Sequence, residues 1–291
     1  MRITVLSVPY DLGREGEGVA LGPGRYLDGG LVAALCERGH QASVVAVERP
    51  EPFTDELSAV VGIARVLAGE ARRAVASGSF PLVAGGNCNV ALGMTAGLGP
   101  ADTAVVWFDA HGDYNTPQTT PSGFLDGMPL AMATGRAHGD AWAQKMGAVD
   151  PRAVIHIGGR DLDPGEVEGF AADGVHVVTG AGGEGGEGGL AALAPLAARA
   201  YVHVDIDVLD LAVAPGVDFP SPGGLTPEEV VAATTVIAAA LPVAGLSVTS
   251  YDPSRDDARG TTLATGIDLM CRLVDTVASA RRSRRDATRL Q

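Results

Sequence analysis

A single open, mostly parallel α/β sheet is the fold class that this 291-residue sequence predicts. Three observations predict it. Short apolar, β-favouring runs alternate with stretches of helical spacing along the whole chain, with no sustained series of hairpins. Hydrophobic residues make up 46% of the chain and aromatics only 4%, so the core is mostly Val, Ala and Leu, as strands covered on both faces allow. Each chemically suggestive cluster directly follows a strand, and the carboxyl ends of strands are where ligands collect in α/β sheets.

The elements read in order as follows. Residues 3–8 form a first strand, and the loop after it carries Gly13, Gly16, Gly18, Gly22, Pro23 and Gly24 before a helix that runs to about Glu37. A strand at 42–47 precedes a helix of about twenty residues within 51–77. A short strand at 80–84 ends in Gly85-Gly86-Asn87-Cys88-Asn89, and a helix follows. The strand 105–108 leads into Asp109 and a long loop, 114–127. Strands at 153–157 and 175–178 come next. The glycine-rich stretch 180–189 reads as a surface loop, because it carries two Glu and lacks the Lys of a phosphate cradle. A strand at 201–205 is followed by a Pro/Gly-rich loop to Gly224, and Thr226-Pro227-Glu228-Glu229 opens a helix with Thr at N-cap and Glu at N3. Residues 230–251 carry no charge, but Leu241-Pro242 and Gly245 divide them into a buried helix and a strand rather than a membrane span. A long helix runs from about Thr262 toward Ala280. No linker or repeat appears, so residues 1–291 are expected to be one domain, with a basic C-terminal tail from about 281.

A net charge of −14 argues against nucleic-acid or anionic-membrane partners, which require a basic face. The basic run Arg281-Arg282-Ser283-Arg284-Arg285 reads as a solvated or intersubunit tail, with anion binding as the alternative. Three cysteines, Cys36, Cys88 and Cys271, supply no disulfide framework. The apolar start is too short for a signal peptide, so a cytoplasmic protein is expected.

The chemistry is expected at two strand ends. Asp109, His111 and Asp113 alternate along the chain, and extended backbone sends alternate side chains to the same side. Alone, this pattern could be a polar turn. Residues 201–210 repeat it, an apolar strand ending in Asp205 and Asp207. Four carboxylates in one crevice repel unless cations neutralise them, and oxygen-rich donors with one imidazole suit Mn²⁺ or a similar hard divalent ion, one or two of them.

Gly85-Gly86-Asn87-Cys88-Asn89, Asp109-Ala110-His111-Gly112-Asp113-Tyr114-Asn115, Asp205-Ile206-Asp207-Val208-Leu209-Asp210 and Pro222-Gly223-Gly224-Leu225-Thr226 occur in this order. On these motifs the chain resembles the arginase/agmatinase ureohydrolases over nearly its whole length. The resemblance implies a three-layer α/β/α sandwich with a mostly parallel central sheet, two Mn²⁺ at the strand ends, and a bridging hydroxide that attacks a guanidinium or amidine carbon. It further implies that Cys88, Asp109, Asp113 and Asp205 hold one metal. Asp109, His111, Asp205 and Asp207 would hold the other, with Asp109 and Asp205 bridging. The family forms trimers and hexamers, so a homo-oligomer is expected. The segment 160–166 resembles the arginase branch, whose second Asp, here Asp163, receives a substrate α-amino group. The loop 115–123 resembles the one that holds an α-carboxylate, through Asn115, Thr120 and Ser122. Short hydroxyl and amide side chains can hydrogen-bond a carboxylate, and an Asp can pair an ammonium. For Asp163, helix capping stands as the other reading.

Three positions depart from the family pattern. Cys88 replaces the first histidine ligand, as in the similar Nω-hydroxyarginine amidinohydrolase. Four Asp balance two divalent cations; a Cys88 thiolate takes the sum one unit negative and admits Zn²⁺ or Fe²⁺ beside Mn²⁺, although a buried, uninvolved thiol is the alternative. Asp126 stands where a histidine shuttles protons, and can either hold a proton if burial raises its pKa or pair a cationic group. Ser250 stands where a glutamate clamps the guanidinium. The expectation is a binuclear hydrolase of a guanidine-, hydroxyguanidine- or amidine-type small molecule, with little activity on L-arginine. A catalytically impaired protein with a structural or regulatory role is the second reading, and a one-metal zinc deacetylase a weaker third.

Overall fold

The computed structural model describes residues 1–49, 53–179 and 193–289. Its strands, in chain order, are β1 (Arg2–Val8), β2 (Gln41–Ala46), β3 (Phe80–Gly85), β4 (Thr103–Phe108), β5 (Val154–Ile157), β6 (His176–Val178), β7 (Arg199–Asp205) and β8 (Val243–Thr249). They form one sheet in the order β2-β1-β3-β8-β7-β4-β5-β6, and every neighbouring pair is parallel. Parallel pairing requires a crossover between strands, and the helices that make the crossovers cover both faces.

The longer helices are α1 (Gly22–Asp28), α2 (Leu31–Glu37), α3 (Glu56–Ala76), α4 (Val90–Leu98), α5 (Pro129–Thr134), α6 (Ala143–Met146), α7 (Pro164–Asp173), α8 (Pro227–Ala240) and α9 (Thr261–Arg289). Alternate strand residues feed opposite cores, the consequence of a two-residue repeat. Phe80, Leu82, Val106 and Phe108 meet Tyr26 of α1, Leu31 of α2, Val230 of α8 and Leu273 of α9. Val83, Val105 and Trp107 meet Leu67 of α3, Leu92 of α4 and Leu130 of α5. The result is the three-layer α/β/α sandwich.

Local signals hold where the sequence places them. At α8 the Thr226 hydroxyl accepts from the Glu229 N–H at 3.2 Å, and the Glu229 carboxylate accepts from the Thr226 N–H at 2.7 Å. The uncharged stretch divides into α8 and β8, and no helix among the described residues is long and apolar enough to cross a membrane. The final helix differs from expectation, because it continues to Arg289 through the basic run. Arg281 lies over the Phe80 ring, 4.9 Å from its centroid, and donates to the Val243 carbonyl at 3.1 Å; Arg284 donates to the Ala238 carbonyl. Long arginine stems bury against apolar surface while their heads reach carbonyls that a strand start and a helix end leave free. The stretch 180–189, expected to be a surface loop, lies outside the described residues.

Candidate metal centre

Five adjacent strands, β3, β8, β7, β4 and β5, deliver polar residues at their carboxyl ends. Cys88 follows β3, Ser250 follows β8, Asp205 ends β7 with Asp207 just after it, Asp109, His111 and Asp113 follow β4, and Asp161 and Asp163 follow β5. They open onto one cavity of about 660 Å³. All twelve residues singled out in the sequence line it. The turn that carries Cys88 needs its glycine: a Cβ on Gly86 would stand 2.1 Å from the Tyr10 carbonyl oxygen.

Two groups of donors form the floor. Cys88, Asp109 and Asp205 present donor atoms all within 4.8 Å of one another, and so do Asp109, His111 and Asp207. Asp109 belongs to both. Its Oδ1 accepts the His111 N–H at 2.7 Å and its Oδ2 the Trp107 indole N–H at 2.9 Å. Asp207 accepts the Ala110 N–H at 3.2 Å and lies 3.0 Å from His111 Nδ1. Asp205 Oδ1 accepts the Asp207 N–H at 2.9 Å, while its Oδ2 accepts from Cys88 Sγ at 2.8 Å and from the Ser250 hydroxyl. Asp113 is buried, and its Oδ2 has no hydrogen-bond partner. Its backbone is left-handed, φ +52°, as is that of Ser250 at +66°. Strained non-glycine residues concentrate at functional sites.

The charge balance of these groups calls for cations. Burial, followed by repulsion from Asp207, pushes the Asp205 carboxyl up to about 7. Burial and the neighbouring carboxylates raise Asp113 and the Cys88 thiol well above their ordinary values. Burial opposes a charge on His111, but Asp109 and Asp207 outweigh it and push the imidazole up to about 12. Protons alone therefore share a crowded anionic site. Divalent ions would displace them, as coordination by carboxylate, thiolate and neutral imidazole requires. The donor chemistry, the shared Asp109 and the orphaned Asp113 oxygen all fit a pair of such ions.

Comparison with known proteins agrees. The Arginase family matches residues 1–275. The chain belongs to the arginase family. It is 32% identical over 290 residues to the arginase of Bacillus caldovelox, covering 92% of this chain and 96% of that one. The crystal structure of arginase from Bacillus subtilis superposes with a TM-score of 0.83 at 29% identity, covering 94% of this chain and 98% of that one. Proclavaminate amidino hydrolase from Streptomyces clavuligerus is similar at a TM-score of 0.69 and 25% identity, over 96% and 92% of the two chains. Family, fold and donor set make this a ureohydrolase-type enzyme with a binuclear metal site, suited to hydrolysis of a guanidine or amidine C–N bond.

Around this arginase-family centre the remaining expected residues take distinct places. Asn115 donates to Asp163 Oδ2 at 2.8 Å, and Asp163 also occupies the N-cap of α7. Thr120 and Ser122 hydroxyls accept from the Gly123 and Phe124 N–H groups, which leaves their own O–H free to donate. Asp126 Oδ1 accepts from Asn89 at 2.7 Å. Burial, then repulsion from Asp11 and Asp205, raises Asp126 well above the carboxylate range. At the cavity wall the Ser250 hydroxyl donates to Asp205.

Sequence reasoning missed several wall residues. Glu166 is buried; its two oxygens accept the Tyr114 N–H at 3.0 Å and the Asp163 N–H at 2.9 Å, tying the β4 loop to α7. Its place at N3 behind Asp163-Pro164 is a capping signature that could have found it. Phe219, 55% exposed, faces His111 edge-on at 6.1 Å and Phe124 at 5.7 Å. Asp11, Arg14, Asp218, Asp252 and Arg255 complete the rim and had no local signal.

Proposed function

We propose that the enzyme hydrolyses an amino-acid-like substrate whose reacting guanidine is less basic than that of arginine, such as a hydroxyguanidine. The observation that carries this reading is the loss of any free anion where a guanidinium clamp is expected. Ser250 is a neutral hydroxyl engaged with Asp205, and Asp126 Oδ1 is already held by the Asn89 amide. A site without such an anion binds a full cation poorly and a near-neutral group without that penalty.

Cys88, Asp109, Asp113 and Asp205 would hold one divalent ion, and Asp109, His111, Asp205 and Asp207 the other, with Mn²⁺ as the first choice and Zn²⁺ or Fe²⁺ admitted by the sulfur. When bound, the pair supplies Lewis acidity and lowers the pKa of water into the neutral range. The chain's own residues do the rest. Asn115 and the free O–H groups of Thr120 and Ser122 bind the substrate carboxylate. Asp163 pairs the α-ammonium. Asp126, with one oxygen held by Asn89, carries a proton on the other and delivers it to the departing nitrogen. Phe124 and Phe219 shield the stretch between head and reacting carbon. The chain is proposed to act as one domain in a cytoplasmic homo-oligomer, trimer or hexamer.

Two measurements test the reading. Elemental analysis of protein purified without chelator should find about two metals per chain, falling toward one in Cys88→Ser. With Mn²⁺ loaded, release of hydroxyurea from Nω-hydroxy-L-arginine should exceed release of urea from L-arginine at least about tenfold in kcat/KM. Arginase-like turnover of L-arginine would overturn the substrate assignment. Failure to load any metal would favour a structural role for the fold instead.

A further inference from the structure

A buried row of side chains crosses four strands one level beneath the metal ligands. Register sets His156 on β5 beside Trp107 on β4, Trp107 beside His203 on β7, and His203 beside Ser247 on β8. All four are 0% exposed. Such positions in a parallel sheet normally hold Val, Ile or Leu. The two histidines are therefore anomalous, and each leaves one ring nitrogen without a partner: Nδ1 of His156 and Nε2 of His203. Burial holds both rings neutral, with pKa values of about 4 and about 3. An orphaned buried nitrogen is unfavourable, and an apolar residue of similar size would avoid it. Its presence points to a role elsewhere.

That role is visible in the contacts. The Trp107 and His203 rings stack at 3.9 Å with an interplanar angle of 28°. His203 Nδ1 lies 2.7 Å from the Ser247 hydroxyl, which in turn lies 2.6 Å from the Tyr201 hydroxyl, so the imidazole plane is fixed from behind. The fixed ring supports the indole face, and the indole N–H meets Asp109 Oδ2 at 2.9 Å. We infer that His203 is a positioning residue for Asp109, acting through the Trp107 indole. The hydrogen bond to Oδ2 orients the carboxylate so that Oδ1 is the oxygen turned toward His111 Nδ1, 3.5 Å away. The inference rests on the reading of Asp109 as a ligand shared by both metals.

The test uses the full chain, with Mn²⁺ titrated calorimetrically and melting followed separately in chelator. His203→Leu should melt in chelator at or above the wild-type temperature, because the orphaned nitrogen is gone. Its affinity for the weaker-bound Mn²⁺ should nevertheless fall about 10- to 100-fold, the range for partners that orient metal ligands. Trp107→Phe should show a fall of similar size, and the double variant no further loss, because both act along one path. His203→Gln, which keeps a polar group toward Ser247 but removes the stacked ring, should lose affinity as His203→Leu does. Unchanged Mn²⁺ affinity in both His203 variants overturns the inference, and so do losses that multiply in the double variant or fall only in step with stability. A wild-type protein that binds no Mn²⁺ overturns the metal reading itself, a result distinct from either.

Discussion

Replacing Glu166 with glutamine changes one atom and two contacts. The carboxylate is 3% exposed and accepts two backbone N–H groups, from Tyr114 at 3.0 Å and from Asp163 at 2.9 Å. Burial raises its pKa against the pull of those two bonds. An amide has one acceptor oxygen. Whichever N–H it serves, its NH₂ group faces the other donor at hydrogen-bond distance. One charge-assisted bond is lost and a buried N–H is left unpaired, a cost of about 2–3 kcal/mol. At about 2–4 °C per kcal/mol, melting should fall by roughly 4–12 °C. The damage also reaches the site, because Glu166 ties the chain at Tyr114, next to Asp113, to Asp163. KM for an amino-acid-like substrate should rise about tenfold while kcat changes little, as when a ground-state contact is loosened. Differential scanning calorimetry and steady-state kinetics would decide. A melting temperature within about 1 °C of wild type, with KM unchanged, would refute the assignment of Glu166 as the tie between the two loops.

Two further outcomes are expected. Ser250→Ala and Ser250→Gly both lose the hydroxyl that holds Asp205, but only glycine accepts φ +66° without strain, so Ser250→Gly should be about 1 kcal/mol more stable in urea unfolding with chelator present. Equal stability would show that this turn carries no strain. Asp275 joins α2 to α9 through Arg38 at 2.8 Å and His40 at 2.9 Å. Burial alone would raise its carboxyl, but hydrogen bonds from the Arg38 guanidinium and the His40 ring hold it below the ordinary range. A depressed folded pKa gives stability that is present above the unfolded pKa and is lost as pH falls through the folded one. Melting curves of wild type and Asp275→Asn should therefore differ at pH 6 and converge as acid protonates the folded carboxyl; a gap that persists in acid would rule out the ion pair as its source.

The sequence revealed periodicity and punctuation better than neighbourhood. Strand–helix alternation and the Thr226–Glu229 cap are properties of a few consecutive residues, and both are in place. Polar residues at strand ends could be assigned to a common edge, because parallel strands all end on one side. Which strand adjoins which could not, since pairing β8 with both β3 and β7 is a long-range choice that no local period encodes. The same limit hid what Ser250 touches, since its contact with Asp205 spans two strands. It also hid the return of Arg281 and Arg284 onto β8 and α8, because a basic run on the sequence looks alike whether solvated or folded back. Asp163 has both a local and a long-range setting: it stands at the N-cap of α7 and meets Asn115 at the cavity wall.

The strand order has a consequence for how the enzyme is made. β8 is the last described strand in the chain, yet it is inserted between β3 and β7, and it alone joins the block β2-β1-β3 to the block β7-β4-β5-β6. Cys88 belongs to the first block, and Asp109, His111, Asp205 and Asp207 to the second. Within the sheet these donors become continuous only through residues 243–249, the last described strand to be synthesised. The donor group of Asp109, His111 and Asp207 lies wholly within the second block, whereas the group that includes the Cys88 sulfur draws on both and is the one that the central position of β8 completes.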